Sequence, residues 1–342
     1  MAKVLVTGGA GFVGRHCVGR LLERGDEVHC VDPIVPLTGG LPLEKWPFFN
    51  PRDYKNFHFY QEDCRAWFKR VQDTDFDYAF HLAAMVGGRM MIEHNPLAVA
   101  DDLSIDAEYW QLAVRAKPRK SLCFSSSAAY PIKLQRREHY ELLKEDMITF
   151  DFDIGMPDMS YGWAKLTCEY LARLAYQKHG LKSICYRPFS GYGEDQDDTY
   201  PFTSICKRVL ANRGQPTLTV WGSGQQFRDF IHIEDCVTEI LGSMDKIDDA
   251  SALNLSTGIY TSFIQFAQLA AELCGFKPEV RGTSNTPEGV FARGGDTTKQ
   301  KAMGLSYTLS FRAGVQRALE YYERGSTKKQ PASTLEKPFA RP

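Results

Sequence analysis

A chain of 342 residues, 43% apolar and 24% charged, carries enough hydrophobic material for one large domain or two modest ones and excludes wholesale disorder. Its 41 Lys+Arg balance 42 Asp+Glu for a net charge of −1, so no charge excess is present to hold nucleic acid or an anionic membrane, and neither is expected as a partner. The nine cysteines are scattered without a C-x-x-C pair, MAKVLVTGG has no secretory apolar region, and no run of about 20 apolar residues occurs; a cytoplasmic protein with reduced thiols and no membrane span is expected.

Residues 3–7 (Lys-Val-Leu-Val-Thr) read as a short strand, followed by glycines at 8, 11 and 14 and an apolar-periodic helix over 12–24. The first glycine permits a tight turn, the second lets the backbone approach a pyrophosphate, and the third lets helix and strand pack closely. Free N–H groups at the helix start, with the helix dipole, then face the phosphates. A second strand over 27–31 closes at Asp32, whose carboxylate accepts from ribose hydroxyls and repels a 2′-phosphate, favouring NAD over NADP. Segment 33–56, with prolines at 33, 36, 42, 47 and 51, reads as an inserted loop.

Further strands are expected at 57–60, 78–82, 121–125 and 183–186, with helices at 97–116 and 161–179 between the later ones. Asp63, at the end of the third strand, either approaches the adenine or caps a helix over 64–71. Strand–helix alternation predicts right-handed crossovers and an α/β, Rossmann-type, doubly wound parallel sheet. Beyond about residue 190, short strands (217–220, 227–231) and separated helices (203–211, 233–244, 262–273, 311–323) predict a smaller C-terminal lobe. The expected division is an NAD-binding domain over 1–190, a substrate lobe over 191–324 and a disordered tail over 325–342, rich in Lys, Pro, Ser and Thr.

Tyr161-Gly-Trp-Ala-Lys165 sets a phenol and an ammonium four residues apart, on one face of a helix. A phenol of ordinary pKa is a poor base at neutral pH. A neighbouring ammonium and a cationic nicotinamide both favour its phenolate, which can take a proton from a substrate hydroxyl as the carbon's hydride leaves. Ser125-Ser126-Ser127, at a strand end, supplies a hydroxyl to polarise the same oxygen. Tyr140 and Lys144 repeat the spacing, but in a charged stretch with no strand behind it. Tyr161 instead opens an amphipathic run (Leu166, Leu171, Leu174, Ala175) that leads into strand 183–186, as a crossover helix must. The eight histidines are spaced unlike a metal cluster and no metal is expected; His81 reads as a packed structural residue.

With the glycine turn, Asp32, the serine run and Tyr161/Lys165 in this order, the chain resembles the extended short-chain dehydrogenase/reductases, specifically the nucleotide-sugar epimerase/dehydratase family, over about residues 3–320. The resemblance continues through His81-Leu-Ala-Ala84, Arg187-Pro-Phe-Ser-Gly-Tyr-Gly193, the stretch from Trp221 to Asp235 and Pro287-x-Gly-x-x-x-Arg293-x-x-Asp296-x-x-Lys299. It implies a Rossmann lobe for NAD, a C-terminal lobe for a nucleotide diphosphate sugar, and Ser126, Tyr161 and Lys165 as the catalytic set. By matching positions, Gly8, Gly11, Phe12, Val13, Gly14, Asp32, Asp63, Cys64, Leu82, Ala83 and Ala84 surround the cofactor with Tyr161 and Lys165. Gly87, Gly88, Arg89, Ser127, Ser190, Arg228 and Arg293 face the substrate; the guanidinium forks of Arg228 and Arg293 suit its diphosphate. A homodimer through helices 97–116 and 161–179 is also implied.

Departures from the family narrow the reaction. Ser127 and Ala128 stand where its 4,6-dehydratases carry an Asp-Glu pair, and its decarboxylases also have a glutamate at Ala128. Ala84-Met-Val-Gly-Gly88 and Ser-Ala-Ala-Tyr-Pro131 are similar to GDP-mannose 3,5-epimerases and GDP-fucose synthases, and Gly87-Gly88 leans towards GDP. Those enzymes place a cysteine at Ala128 and a lysine or histidine in the segment that here reads Glu194 to Pro201. Ser190 replaces a usual asparagine, and the asparagine expected near Asp102 is absent. The resemblance therefore implies an NAD-dependent nucleotide-sugar epimerase working through a transient keto-sugar, most simply at C4. Its alternatives are a 3,5-epimerase using Glu194, Asp195 or water, a 4-dehydrogenase/reductase, and a non-catalytic NAD-binding sensor or scaffold.

Overall fold

The opening strand is buried on both faces from Val4 to Thr7, as a strand between two helical layers requires. The computed structural model describes residues 1–85, 89–283 and 288–327. Seven strands form the central sheet: β1 (Lys3–Thr7), β2 (Glu27–Val31), β3 (Phe57–Tyr60), β4 (Tyr78–His81), β5 (Lys120–Phe124), β6 (Ser183–Pro188) and β7 (Asp249–Leu255). Their order is β7-β6-β5-β4-β1-β2-β3, and every pair is parallel. The order reverses between β1 and β4, which opens a crevice at the carboxyl ends of the strands.

One face of the sheet is covered by α1 (Phe12–Glu23), through Cys17, Val18, Leu21 and Leu22. The other carries α2 (Cys64–Arg70), α3 (Ala100–Ala116) and α4 (Met159–His179), whose Trp67, Phe68, Tyr109, Trp110, Cys168 and Ala172 form a second core. The C-terminal lobe packs α5 (Pro201–Ala211), α7 (Phe263–Leu273) and α8 (Phe311–Thr327) around Tyr192, Phe202, Phe230, Phe266 and Val315. Between them in sequence, α6 (Ile233–Ser243) sends Val237 and Ile240 into the first core beside α1. Both α6 and β7 thus follow residue 190 in the chain yet join the core and the sheet built by the residues before it.

Several expectations are adjusted. The segment Asp249–Leu255 (Asp-Ala-Ser-Ala-Leu-Asn-Leu) was not foreseen as a strand; it has no β-branched residue, and pairing with β6 holds it. The helix expected from 97 opens instead as a 3-10 turn, Pro96–Val99, before α3. Segment 33–56 contains three 3-10 turns and is anchored by buried Leu43 and Trp46, with Phe49 packed over Gly19. Helix α8 continues to Thr327, three residues into the stretch expected to be disordered, because Val315, Ala318, Leu319 and Tyr322 give it a continuous apolar stripe on the lobe core. Residues 328–342 lie outside the described residues.

The two layers are joined by buried charge. Arg15 on α1 donates from Nε to Asp195 Oδ2 at 2.6 Å and from Nη2 to the Asp195 carbonyl at 2.7 Å. Asp229, fully buried, accepts from Ser256 Oγ (2.6 Å), Thr257 N (2.9 Å), Thr257 Oγ1 (2.6 Å), Gly258 N (2.9 Å) and Gly295 N (3.2 Å). That hub ties the segment of Arg228 to the loop after β7 and to the segment of Arg293. Asp229→Ala leaves these donors unsatisfied and is expected to lower the unfolding free energy by about 3 kcal/mol. Urea titration should show a reduced midpoint at unchanged slope.

Candidate active site

A cavity of about 800 Å³ lies between the carboxyl ends of the sheet and the C-terminal lobe. Its cofactor-side wall contains Gly8, Gly11, Phe12, Val13, Gly14, Asp32, Asp63, Cys64, Leu82, Ala83 and Ala84. Ser126, Ser127, Tyr161, Lys165, Ser190, Arg228 and Arg293 line the same space. Gly87 and Gly88 lie outside the described residues, and Arg89 opens the short helix Arg89–His94.

The glycine turn is built by close approach. Gly8 adopts φ +73, and a Cβ there would fall 2.6 Å from the Ala83 nitrogen. A Cβ on Gly14 would fall 2.2 Å from the Gly8 carbonyl oxygen, so helix and strand could not meet. Gly11 caps α1 without a side-chain bond, and the first turn has no acidic residue, so its N–H groups form an anion cradle in the cavity wall. Asp32 accepts from Ala10 N at 2.9 Å and from Ile34 N at 2.6 Å, pinning the turn to the end of β2. Burial raises its pKa, and those two N–H groups oppose the rise. A backbone cradle for phosphates with an acid at the end of β2 fits NAD. Asp63 caps α2 through Arg65 N at 2.8 Å and also pairs with the Arg65 guanidinium at 2.6 Å, while remaining on the cavity wall.

The hydroxyl cluster sits deeper. In the serine run, Ser125 is buried and donates to Glu169 Oε1, whereas Ser126 is half-buried, accepts from Ala128 N at 3.1 Å and stands beside the Tyr161 phenol on the cavity wall. Gly162 makes that meeting possible, since a Cβ there would lie 2.4 Å from the Ala128 carbonyl oxygen. Lys165, one turn on, holds Nζ 5.5 Å from the centroid of the Tyr161 ring. Tyr140 and Lys144 are exposed, away from this cavity. His81 is buried between Thr7 Oγ1 (2.8 Å) and Asp106 Oδ1 (3.0 Å) and stacks on Tyr109.

The sequence did not reveal Asp102 as part of this cluster. Completely buried in the first turn of α3, it accepts from Met85 N through Oδ1 and places Oδ2 3.6 Å from Lys165 Nζ. Burial holds the Tyr161 pKa above its ordinary value; Lys165 pulls it down and Asp102 pushes it up. For Lys165, burial favours the neutral amine, but the Asp102 carboxylate and the phenol outweigh it and keep the ammonium charged. The cluster thus sets a buried phenol between a cation that favours its ionisation and a carboxylate that opposes it. Only the spatial meeting of α3 and α4 creates it, which no local spacing encodes.

Arg228 and Arg293 occupy register-paired positions on the adjacent strands Phe227–Arg228 and Ala292–Arg293. Arg228 Nη1 donates to the Phe227 carbonyl (2.7 Å) and the Val290 carbonyl (3.1 Å). Arg293 donates from Nε to Gln135 Oε1 (2.7 Å) and from Nη2 to Asp158 Oδ2 (2.8 Å). Both guanidinium groups are therefore oriented by the protein before any ligand arrives. Glu194 and Asp195, the alternative acids, are engaged by neighbouring basic side chains, although Asp195 lines the same cavity. Asp195 also binds His16 Nε2 at 2.9 Å, and Glu194 binds Arg317 Nε at 2.8 Å and His232 Nε2 at 3.3 Å.

Comparison with known proteins identifies the family and the fold. The profile of the NAD dependent epimerase/dehydratase family matches residues 4–256. An uncharacterised UDP-glucose epimerase of Bacillus subtilis is 29% identical over 288 residues, 80% of this chain and 83% of that protein. GDP-L-fucose synthase 1 of Arabidopsis thaliana is 24% identical over 337 residues, 94% of this chain and 93% of that protein. The crystal structure of UDP-glucose 4-epimerase from Thermotoga maritima, with UDP-glucose, superposes with a TM-score of 0.80 at 25% identity, covering 95% of this chain and 99% of the other.

Because Asp102 opposes ionisation of Tyr161, removing its charge eases loss of the phenolic proton. Asp102→Asn is expected to move the acid limb of the kcat/KM profile downward by roughly one pH unit. A pH profile that does not move, or moves upward, would contradict the arrangement.

Proposed function

The chain belongs to the NAD-dependent epimerase/dehydratase family, and within it we propose a nucleotide-sugar 4-epimerase that oxidises one sugar carbon and reduces it again on the opposite face. NAD, when bound, accepts hydride from that carbon and returns it. The protein's own residues handle the proton. Ionised Tyr161 takes it from the 4-hydroxyl, Ser126 donates a hydrogen bond to the same oxygen, and Lys165 holds positive charge beside the phenolate. When the keto-sugar has turned over, the proton returns from Tyr161 to the alkoxide oxygen, completing inversion without net change.

Arg228 and Arg293 supply the second requirement, an anchor that outlasts the chemistry. Paired guanidinium groups gripping the diphosphate keep the ligand bound while only the sugar reorients, so remote binding energy retains the ketone. The observation that carries the C4 reading is the gathering of Ser126, Tyr161 and Lys165 in one cavity while the candidate second acids are engaged by other side chains. Ala128 is buried and cannot act as acid or base, and the carboxylates of Glu194 and Asp195 are engaged by His232, Arg317, Arg15 and His16. A 3,5-epimerase or a dehydratase needs a further acid–base pair at neighbouring carbons. The intact Tyr161 and Lys165 argue against a pure NAD sensor, which has no use for a hydride-transfer base.

Exposed Leu103 on α3 and exposed Trp163 and Tyr170 on α4, two helices that pack side by side, support a homodimer across that face. Nine free thiols, eight of them buried, support residence in the reducing cytoplasm. No helix among the described residues is long and apolar enough to cross a membrane.

Two measurements test the reaction. In deuterated water, the recovered sugar is expected to carry no carbon-bound deuterium, with no net change in cofactor absorbance. Deuterium at C3 or C5, or stoichiometric cofactor reduction, would replace the C4 reading with one of its alternatives. Tyr161→Phe is expected to lower kcat by about 10²–10⁴ while NAD stays bound. A thermal-shift screen of GDP-, UDP-, dTDP-, CDP- and ADP-sugars identifies the base, since a ligand of the native state raises the melting temperature.

A further inference from the structure

Outside the cavity, one group of side chains among the described residues brings three metal-ligating atoms together: Glu27, His29 and His58, whose donor atoms all lie within 4.8 Å of one another. No sequence spacing announces it, because the second histidine arrives through strand pairing. Glu27 and His29 are two apart on β2 and share a face, and the parallel register sets His58 of β3 directly beside His29. All three donors therefore stand on paired strands rather than on loops. His29 Nε2 lies 2.7 Å and His58 Nε2 3.7 Å from the same oxygen, Glu27 Oε1. A tetrahedral ion with bonds of about 2.0–2.1 Å needs its ligand atoms about 3.3 Å apart. Both distances bracket that value, so small side-chain rotations suffice to admit an ion.

The surroundings favour a metal over a simple hydrogen bond. The Tyr60 hydroxyl stands 3.1 Å from His29 Nδ1, with the two rings inclined by only 14°. A partner on Nδ1 fixes the ring and turns Nε2 towards the centre, the role that outer hydrogen-bond partners take at histidine–metal sites. Phe76 closes the inner side by edge contact with His29, while the His58 side chain is 43% exposed and leaves an entry path. Lys3, the register neighbour of Glu27 on β1, commits its ammonium to Asp73 at 2.5 Å. Two imidazoles and one carboxylate form a borderline donor set, suited to zinc, cobalt or nickel rather than to magnesium or calcium.

We propose that Glu27, His29 and His58 bind one divalent transition-metal ion, with solvent completing its coordination, on the outer edge of the sheet. The site lies three to five residues before Asp32 along β2, roughly 10–16 Å away, so it is separate from the redox chemistry. Its consequence is mechanical: β3 ends the sheet order, and an ion shared between β2 and β3 ties that edge strand in place.

The test uses untagged, full-length protein with NAD, stripped by a chelator and titrated with Co²⁺, then with competing Zn²⁺. One equivalent of Co²⁺ is expected to give a saturable visible ligand-field band that Zn²⁺ abolishes. His58→Gln and Glu27→Gln, both at partly exposed positions, are each expected to weaken binding at least about tenfold, and Tyr60→Phe about tenfold. Cys274→Ser, which removes the one thiol that is not fully buried, is expected to change nothing. Absence of a saturable complex, a band that survives both ligand substitutions, or loss of the band in Cys274→Ser would each overturn the proposal.

Discussion

A buried ammonium needs a reason to stay charged, and the candidate active site is organised around providing one. Lys165 lies within the fold with a side chain only 5% exposed, facing a carboxylate on one side and a phenol on the other. Placing such a charge away from water is costly unless counter-charges surround it. Asp102 makes that placement tolerable and at the same time offsets part of the field Lys165 exerts on Tyr161. Burial and Asp102 favour the protonated phenol against the pull of Lys165, and under the proposed function a cationic nicotinamide would add to that pull. An idle site that holds no ready base has little capacity for stray proton chemistry.

Backbone proximity, rather than side-chain reach, sets the rest of the geometry. Gly14 lets α1 approach the turn after β1, and Gly162 lets α4 approach the loop after β5. Each lacks a Cβ where one would strike a carbonyl oxygen at 2.2 Å or 2.4 Å. The first contact forms the phosphate cradle and the second brings the phenol to Ser126. The C-terminal lobe is registered against both through Arg15, which reaches the Asp195 carbonyl, the Ala10 carbonyl and the Gly39 carbonyl from a single guanidinium.

Much of this was legible in the sequence wherever the determinant was local. The glycine spacing, the acid after the second strand and the Tyr161/Lys165 pair each depend on a few consecutive residues and the period of one element. Features that require two elements to meet were not legible. Asp102 reads as an ordinary first-turn acid until α3 lies against α4. Arg228 and Arg293 become neighbours only when two two-residue strands pair. His29 and His58 likewise become a pair only through the register of β2 and β3. The missed strand β7 belongs to the same class, because burial beside β6 specifies it more strongly than its composition does.

The proline-rich segment after β2 carries a kinetic implication. It roofs the end of the cavity beside Asp32 through Val35, Pro36 and Gly39–Leu41, and it is fastened by Leu41 N to the Ala10 carbonyl at 3.1 Å and by Trp46 in the core. Lifting that roof would uncover buried Trp46, so a dinucleotide held beneath it is expected to leave slowly. An enzyme that regenerates its oxidant in every cycle gains from such retention, whereas one that consumed it would be throttled by the same clasp.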